Sequence, residues 1–183
     1  MTIDWDAIRQ ALPIEKNPEQ FAKRNDMWMQ IDVNGNGYVS LAELDKGLRD
    51  VMQNEDLFDC KPAIIRAHQA AKGKVKTKRL HGADYVERCE FRLVLWYLRQ
   101  YFEYYEAFNR VDSNNDDRIS RSEFKAAQEI MERWVGPIED IDAAFDDVDL
   151  NGGGMILFNE FVRWAIKKAL DLEDDDDYDT KGE

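Results

Sequence analysis

Three times along the chain, apolar residues stand four and one positions ahead of an aspartate: Trp28 and Ile31 before Asp32, Phe108 and Val111 before Asp112, Phe145 and Val148 before Asp149. This is the spacing of one helix face, and it predicts three helices that end where a polar stretch begins. Each polar stretch closes on an acid followed by an apolar residue, Glu43-Leu44, Glu123-Phe124 and Glu160-Phe161, and Glu90-Phe91 repeats that pair once more. Four recurrences predict an internal repeat. Inside each repeat a β-branched residue (Val39, Val86, Ile119, Ile156) holds the same place, suited to a short strand that pairs the loops two by two.

Helix ends are also legible. Asn17-Pro18-Glu19-Gln20 reads as an N-cap, a proline at the first helical position and a capping-box partner, so a helix is predicted from about Pro18 to Ile31. Leu44, Leu48 and Val51 form the apolar stripe of a helix leaving the first loop. The stretch "EFRLVLWYLRQYFEYYEAFNRV" contains neither glycine nor proline and is apolar over most of its circumference. It predicts one long helix joining two lobes. Its aromatic residues (Phe91, Trp96, Tyr97, Tyr101, Phe102, Tyr104, Tyr105, Phe108) are read as core, because a helix shared by two lobes has two apolar surfaces to cover.

The polar stretches carry the candidate chemistry. "DVNGNGYVSLAE" places oxygen at alternate positions around a glycine: side chains of Asp32, Asn34 and Asn36, the Tyr38 carbonyl, Ser40 and, at position 12, Glu43. A hard cation needs such a ring. Calcium takes six to eight oxygens at about 2.3–2.6 Å, and a bidentate glutamate at position 12 favours it over magnesium. "DSNNDDRISRSE" offers Asp112, Asn114, Asp116, the Arg118 carbonyl, Ser120 and Glu123, with Asp117 where glycine normally stands. Aspartate tolerates the positive φ required there, at some strain. In "DLNGGGMILFNE" Asp149, Asn151, the Met155 carbonyl and Glu160 remain, but Gly153 and Leu157 fill two ligand positions, so weak binding or none is expected. "RLHGADYVERCE" has Arg79 and His81 in ligand positions and is expected to serve only as the structural partner of the first loop.

These loops and their flanking helices resemble the EF-hand superfamily. The leading "WDAIRQALPIEK" and "EFRLVLWYLRQYFEYYEAFNRVD", running from the ruined second loop into the third, are most similar to the flagellar calcium-binding proteins, or calflagins, of trypanosomes, over roughly residues 5 to 165. The implied fold is all-α: four helix-loop-helix units in two paired lobes, with short loop-loop β-bridges and a long connecting helix. The expected division is an N-terminal lobe at 1–100, a C-terminal lobe at 101–170 and an acidic tail at 171–183. The resemblance also implies residence in a cilium or flagellum and calcium-dependent membrane association through an acylated glycine-cysteine N-terminus, from which Met-Thr-Ile departs.

Charge sharpens the picture. Of the net −13, the stretch "DLEDDDDYDTKGE" alone supplies −7, and it is expected to be a solvating disordered tail. Nucleic-acid binding is disfavoured. Lys61, Arg66, Lys72, Lys74, Lys76, Lys78 and Arg79 form a local basic block without acids, read as a solvated loop or as a weak contact for an anionic membrane or acidic partner. Cys60 and Cys89 lie far apart without a metal-binding pattern, which suits a reducing cytoplasmic compartment. No stretch approaches the length of a membrane span, and no secretory leader is evident.

An enzyme is not expected. His68 and His81 sit beside lysines and read as solvated, and no serine, cysteine or aspartate has a nucleophile's surroundings. The expected function is a calcium-responsive sensor or adaptor with about two Ca2+ sites and a weak third. Its apolar faces around Trp28, Leu48, Trp134 and Trp164 would meet an unidentified protein target, an axonemal one among the candidates. A buffer similar to sarcoplasmic calcium-binding proteins, or a structural axonemal protein, are the alternatives.

Overall fold

The computed structural model describes residues 10–53, 61–74, 82 and 84–169. Residues 75–81 of the basic block, Cys60, the acidic stretch 171–183 and the side chain of Trp134 lie outside the described residues. Among the described residues the chain is all-α apart from four short strands: α1 (Pro18–Ile31), β1 (Tyr38–Val39), α2 (Leu41–Met52), α3 (Lys61–Ala71), β2 (Val86–Glu87), α4 (Phe91–Val111), β3 (Arg118–Ser120), α5 (Arg121–Ala126), α6 (Gln128–Val135), α7 (Ile141–Val148), β4 (Met155–Leu157) and α8 (Phe158–Ala169). It divides into two compact units, and the division falls inside α4, between Phe102 and Glu103.

In the first unit, Asn17 caps α1 by accepting the Gln20 amide at 2.9 Å, with Pro18 opening the helix. The expected capping-box partner does something else: Gln20 Oε1 accepts from the Glu15 amide at 2.7 Å, turning the preceding segment back over the unit. Leu12 and Ile14 are buried there. The carbonyls of Pro13, Ile14 and Glu15 accept from the buried guanidiniums of Arg24 and Arg92 at 2.9, 2.8 and 2.6 Å. Backbone acceptors thus satisfy two charges that would otherwise be costly to bury.

Where α1 meets α2, Gly47 is buried against Ile31, and a Cβ at that position would lie 2.6 Å from Ile31 Cγ1. The glycine lets the two helices approach. Trp28 packs edge-on against Phe91 with ring centroids 5.2 Å apart. The loops meet through an antiparallel bridge that sets Val39 opposite Val86, as the repeat predicts.

Two readings of the basic block are corrected here. Lys61–Ala71 is a helix, not a loop, because Ala63, Ile64, Ala67 and Ala71 recur at helical spacing and face inward. His68 lies on that same face and is only 3% exposed, so it is a core residue rather than a solvated one.

The second unit repeats the plan. Ile119 pairs with Ile156 across β3 and β4. Phe124 stands edge-on to both Phe145 and Trp164, at 5.6 and 5.8 Å, and Phe108 to Phe158 and Phe161, at 5.6 and 5.8 Å. The aromatic residues of α4 are core, as expected: Phe91, Tyr97, Tyr101, Phe102, Tyr104 and Phe108 are buried, Trp96 and Tyr105 partly so.

Candidate metal centres

In the first, third and fourth loops the entering helix ends on an aspartate whose carboxylate organises the loop behind it. Asp32 accepts the amides of Asn36 and Gly37 at 3.1 and 3.0 Å. Asp112 accepts those of Asp116 and Asp117 at 3.2 and 2.9 Å. Asp149 accepts those of Gly153 and Gly154 at 3.0 and 2.7 Å. The same two-pronged contact at loop positions 5 and 6 therefore recurs in all three loops. Position 6 takes a positive φ each time, 84° at Gly37, 60° at Asp117 and 76° at Gly154, so Asp117 adopts the conformation expected of it.

Positions 3 and 5 continue the winding where side chains exist. Asn34 and Asn114 accept the amide two residues on at 3.0 and 2.9 Å, and Asn36 and Asp116 do so at 3.0 and 3.1 Å. In the fourth loop Gly153 offers no such side chain. Asn151 Oδ1 fills the space instead, 2.5 Å from where a Cβ of residue 153 would stand.

The position-12 glutamate closes each loop from the following helix. Glu43 Oε1 accepts from Asn34 Nδ2 at 3.1 Å, while Oε2 takes the Ser40 amide and hydroxyl at 2.9 and 2.8 Å. Glu123 Oε1 accepts from the Ser113 hydroxyl and the Asn114 amide at 2.9 and 3.3 Å, and Oε2 from the Ser120 amide and hydroxyl at 2.9 and 2.6 Å. Glu160 joins the Asn151 amide and side chain at 3.1 and 2.7 Å to the Leu157 amide at 2.9 Å. Ser40 and Ser120 serve twice, as loop oxygens and as N-caps of α2 and α5 in complete capping boxes. Hydrogen bonds, foremost from the Ser120 hydroxyl, hold the Glu123 carboxyl down to about 2 against the opposing effect of burial.

Tyr38, Arg118 and Met155, assigned a carbonyl ligand each, all lie at the start of the bridging strands. The oxygen donors of the first and third loops are amides, carboxylates, a hydroxyl and backbone carbonyls, with no sulfur or imidazole among them. Such a set suits a hard divalent cation. Among the described residues no three acidic, histidine or cysteine side chains stand together as a metal cluster. The position-12 carboxylates are instead turned to the amides and hydroxyls of their own loops.

The second unit of the repeat departs from this plan. Glu90 is buried, its Oε1 accepts the Gly73 amide at 2.6 Å and its Oε2 the Glu87 amide at 3.0 Å. The glutamate keeps its closing contact to position 9 and spends the other oxygen on the end of α3. Nothing in the sequence around Gly73 signalled that role.

A second feature escaped sequence reading. Arg121 reaches from α5 to α7, where its guanidinium meets the Asp142 carboxylate at 3.2 Å, forms a close ion pair with Asp146 and lies 4.2 Å above the Phe145 ring centroid. Lys125 adds an ion pair to Asp142 at 2.8 Å. The paired acid holds the Arg121 guanidinium above its ordinary range, Asp146 first, and Lys125 and then Arg121 draw Asp142 below its own. The i to i+4 spacing of Asp142 and Asp146 on one helix, and of Arg121 and Lys125 on another, was the available signal.

Comparison with known proteins follows the same lines. Residues 8–98 match the FCaBP EF-hand domain and residues 102–166 an EF-hand domain pair. The flagellar calcium-binding proteins TB-17 and TB-24 of Trypanosoma brucei brucei are each 32% identical over 98% of this chain, covering 78% and 84% of their own lengths. The flagellar calcium-binding protein of Trypanosoma cruzi is 31% identical over 94% of this chain and 83% of its own. A solved Leishmania major homolog of programmed cell death 6 protein superposes with a TM-score of 0.41 at 16% identity, over 78% of this chain and 70% of that one. On the extent of the sequence match, this chain belongs to the EF-hand family of flagellar calcium-binding proteins.

Proposed function

We propose that this chain binds Ca2+ through the first and third loops and acts as a calcium-responsive sensor or adaptor in a cilium or flagellum. One observation carries the reading: in both loops the position-12 glutamate, on the following helix, is already hydrogen-bonded to position 3 or its neighbour and to position 9 of its own loop. Asp32, Asn34, Asn36, the Tyr38 carbonyl, Ser40 and Glu43 would hold one ion. Asp112, Asn114, Asp116, the Arg118 carbonyl, Ser120 and Glu123 would hold another. A bound ion would supply positive charge at the loop centre to the carboxylates of Glu43 and Glu123. Because each glutamate belongs to α2 or α5, a change of its partners would be felt by that helix.

The fourth loop keeps Asp149, Asn151, the Met155 carbonyl and Glu160 and would bind weakly. The flagellar setting is supported by the names of the relatives. Among the described residues no helix is long and apolar enough to cross a membrane. An axonemal protein is the proposed target, and the Lys61–Arg79 segment is the proposed place for a weak contact with anionic lipid.

Fractionation tests the reading. The tagged protein, expressed in a flagellated trypanosome, should travel with the flagellar fraction and shift on chelation, and E43Q/E123Q should behave as the chelated wild type. Distribution that ignores both chelator and mutation would remove the sensor reading.

A further inference from the structure

The closing glutamates of the first and third loops share one contact and differ in the other. In both, Oε2 accepts from the amide and the hydroxyl of the position-9 serine, Ser40 or Ser120. Oε1 of Glu43 accepts from Asn34 at 3.1 Å, a residue that is itself a candidate ligand at position 3. Oε1 of Glu123 accepts instead from the Ser113 hydroxyl at 2.9 Å, with the Asn114 amide at 3.3 Å. Ser113 stands at position 2, outside the set of ligand positions, and that position is Val33 in the first loop and Leu150 in the fourth. Neither of those side chains can donate a hydrogen bond. The third loop therefore has a hydroxyl on its closing glutamate that no ion needs as a ligand. Both side chains border an open cleft of about 460 Å³, so the carboxylate has room to turn.

The worth of that hydrogen bond depends on how many carboxylate oxygens a cation takes. Calcium accepts a two-oxygen grip from the position-12 glutamate, whereas magnesium, in a near-ideal octahedron at about 2.0–2.1 Å, has no room for the narrow bite of both. A glutamate that gives one oxygen keeps the other for Ser113. A glutamate that gives both turns Ser113 back to water.

We propose that Ser113 sets the calcium-over-magnesium selectivity of the third loop: its hydroxyl favours the ion-free and one-oxygen positions of Glu123 and opposes the two-oxygen grip. The third loop then discriminates against magnesium less sharply than it would with an apolar residue at position 2. Asp116, a carboxylate where the first loop has Asn36, attracts either ion and does not choose between them. The inference rests on the reading that the third loop binds Ca2+, and it assigns a role to a residue outside the ligand set.

The test uses the full chain carrying E43Q, so that the third loop is the principal site. Ca2+ and, separately, Mg2+ are titrated and followed by NMR at the Asp116 and Asp117 amides, which donate to Asp112 inside that loop. S113A should bind Ca2+ about fivefold more tightly than the E43Q parent and Mg2+ with the parent's affinity, the difference expected of one net hydrogen bond. S113T restores the hydroxyl and should return the parent's values for both ions. Ser113 is exposed, so either change leaves the core intact. A merely structural role would move both ions together. Unchanged Ca2+ affinity in S113A, an equal change for both ions, an S113T that behaves as S113A, or a parent loop that ignores millimolar Mg2+ would overturn the inference. Third-loop amides of the parent that do not respond to Ca2+ would remove the binding reading itself, and the inference with it.

Discussion

The Glu90 carboxylate accepts the Gly73 amide at 2.6 Å, a contact to the end of α3 where the glutamates of the other three loops reach position 3 of their own loop or its neighbour. The second loop carries Arg79 and His81 where the first carries Asp32 and Asn34, and it shares the position-12 glutamate. The Glu90 contact ties α3 to the base of α4 and so preserves the Val39–Val86 bridge that supports the first loop.

Replacing Glu90 with alanine should therefore destabilise the chelated protein without removing a calcium site. The buried amide of Glu87 and the part-buried amide of Gly73 lose their carboxylate acceptor, a loss of about 1–3 kcal/mol. Urea denaturation measures the first effect and a calcium titration the second. A variant that keeps its stability but loses one equivalent of calcium would reverse the assignment.

Gly47→Ala tests the packing of α1 on α2 independently. The added methyl lies 2.6 Å from Ile31 Cγ1 and 3.0 Å from its Cα, so the backbones must separate. Overpacking of this kind costs about 1–3 kcal/mol. The helix gain of alanine over glycine, about 1 kcal/mol, opposes it but does not win against a backbone contact. An increase in the urea midpoint would show that the helices separate freely.

His68 should make the first unit sensitive to mild acid. Burial, and after it the charge of Lys72, pushes the imidazole below its ordinary 6.5, with a backbone hydrogen bond to Val39 and the charge of Asp84 opposing. The folded state then binds fewer protons than the unfolded one, so the contribution of this group is fully present above pH 6.5 and is lost as pH falls through the lowered folded value. Denaturation midpoints should drop as the pH falls below the ordinary 6.5, and His68→Leu should flatten that portion of the profile. A slope identical in wild type and variant would show that His68 does not govern it.

Much of this was written in the chain. The stripes ending at Ile31, Val111 and Val148, the β-branched residues that meet in the two bridges and the positive φ of Asp117 follow from local pattern, where spacing alone decides the outcome. What the pattern did not show is tertiary. The folding back of Leu12 and Ile14 depends on Arg24 and Arg92, the latter distant in sequence. His68 is buried because its helix turns an alanine-rich face inward, and composition alone counted it among lysines. The partner of Glu90 is a backbone amide, which no side-chain pattern reveals. The ligand positions of the first and third loops follow from spacing, and in the structure Asp32, Asn34, Asn36 and Glu43, like Asp112, Asn114, Asp116 and Glu123, accept backbone amides of their own loop.

The most direct measurement of the central claim is a calorimetric calcium titration of chelator-stripped protein in millimolar magnesium, run on the wild type and on E43Q, E123Q and E160Q. The account predicts two principal sites in the wild type, the loss of one in E43Q and of the other in E123Q, and little change in E160Q. Unchanged stoichiometry in E43Q and E123Q, or no binding heat in the wild type at any concentration, would contradict it.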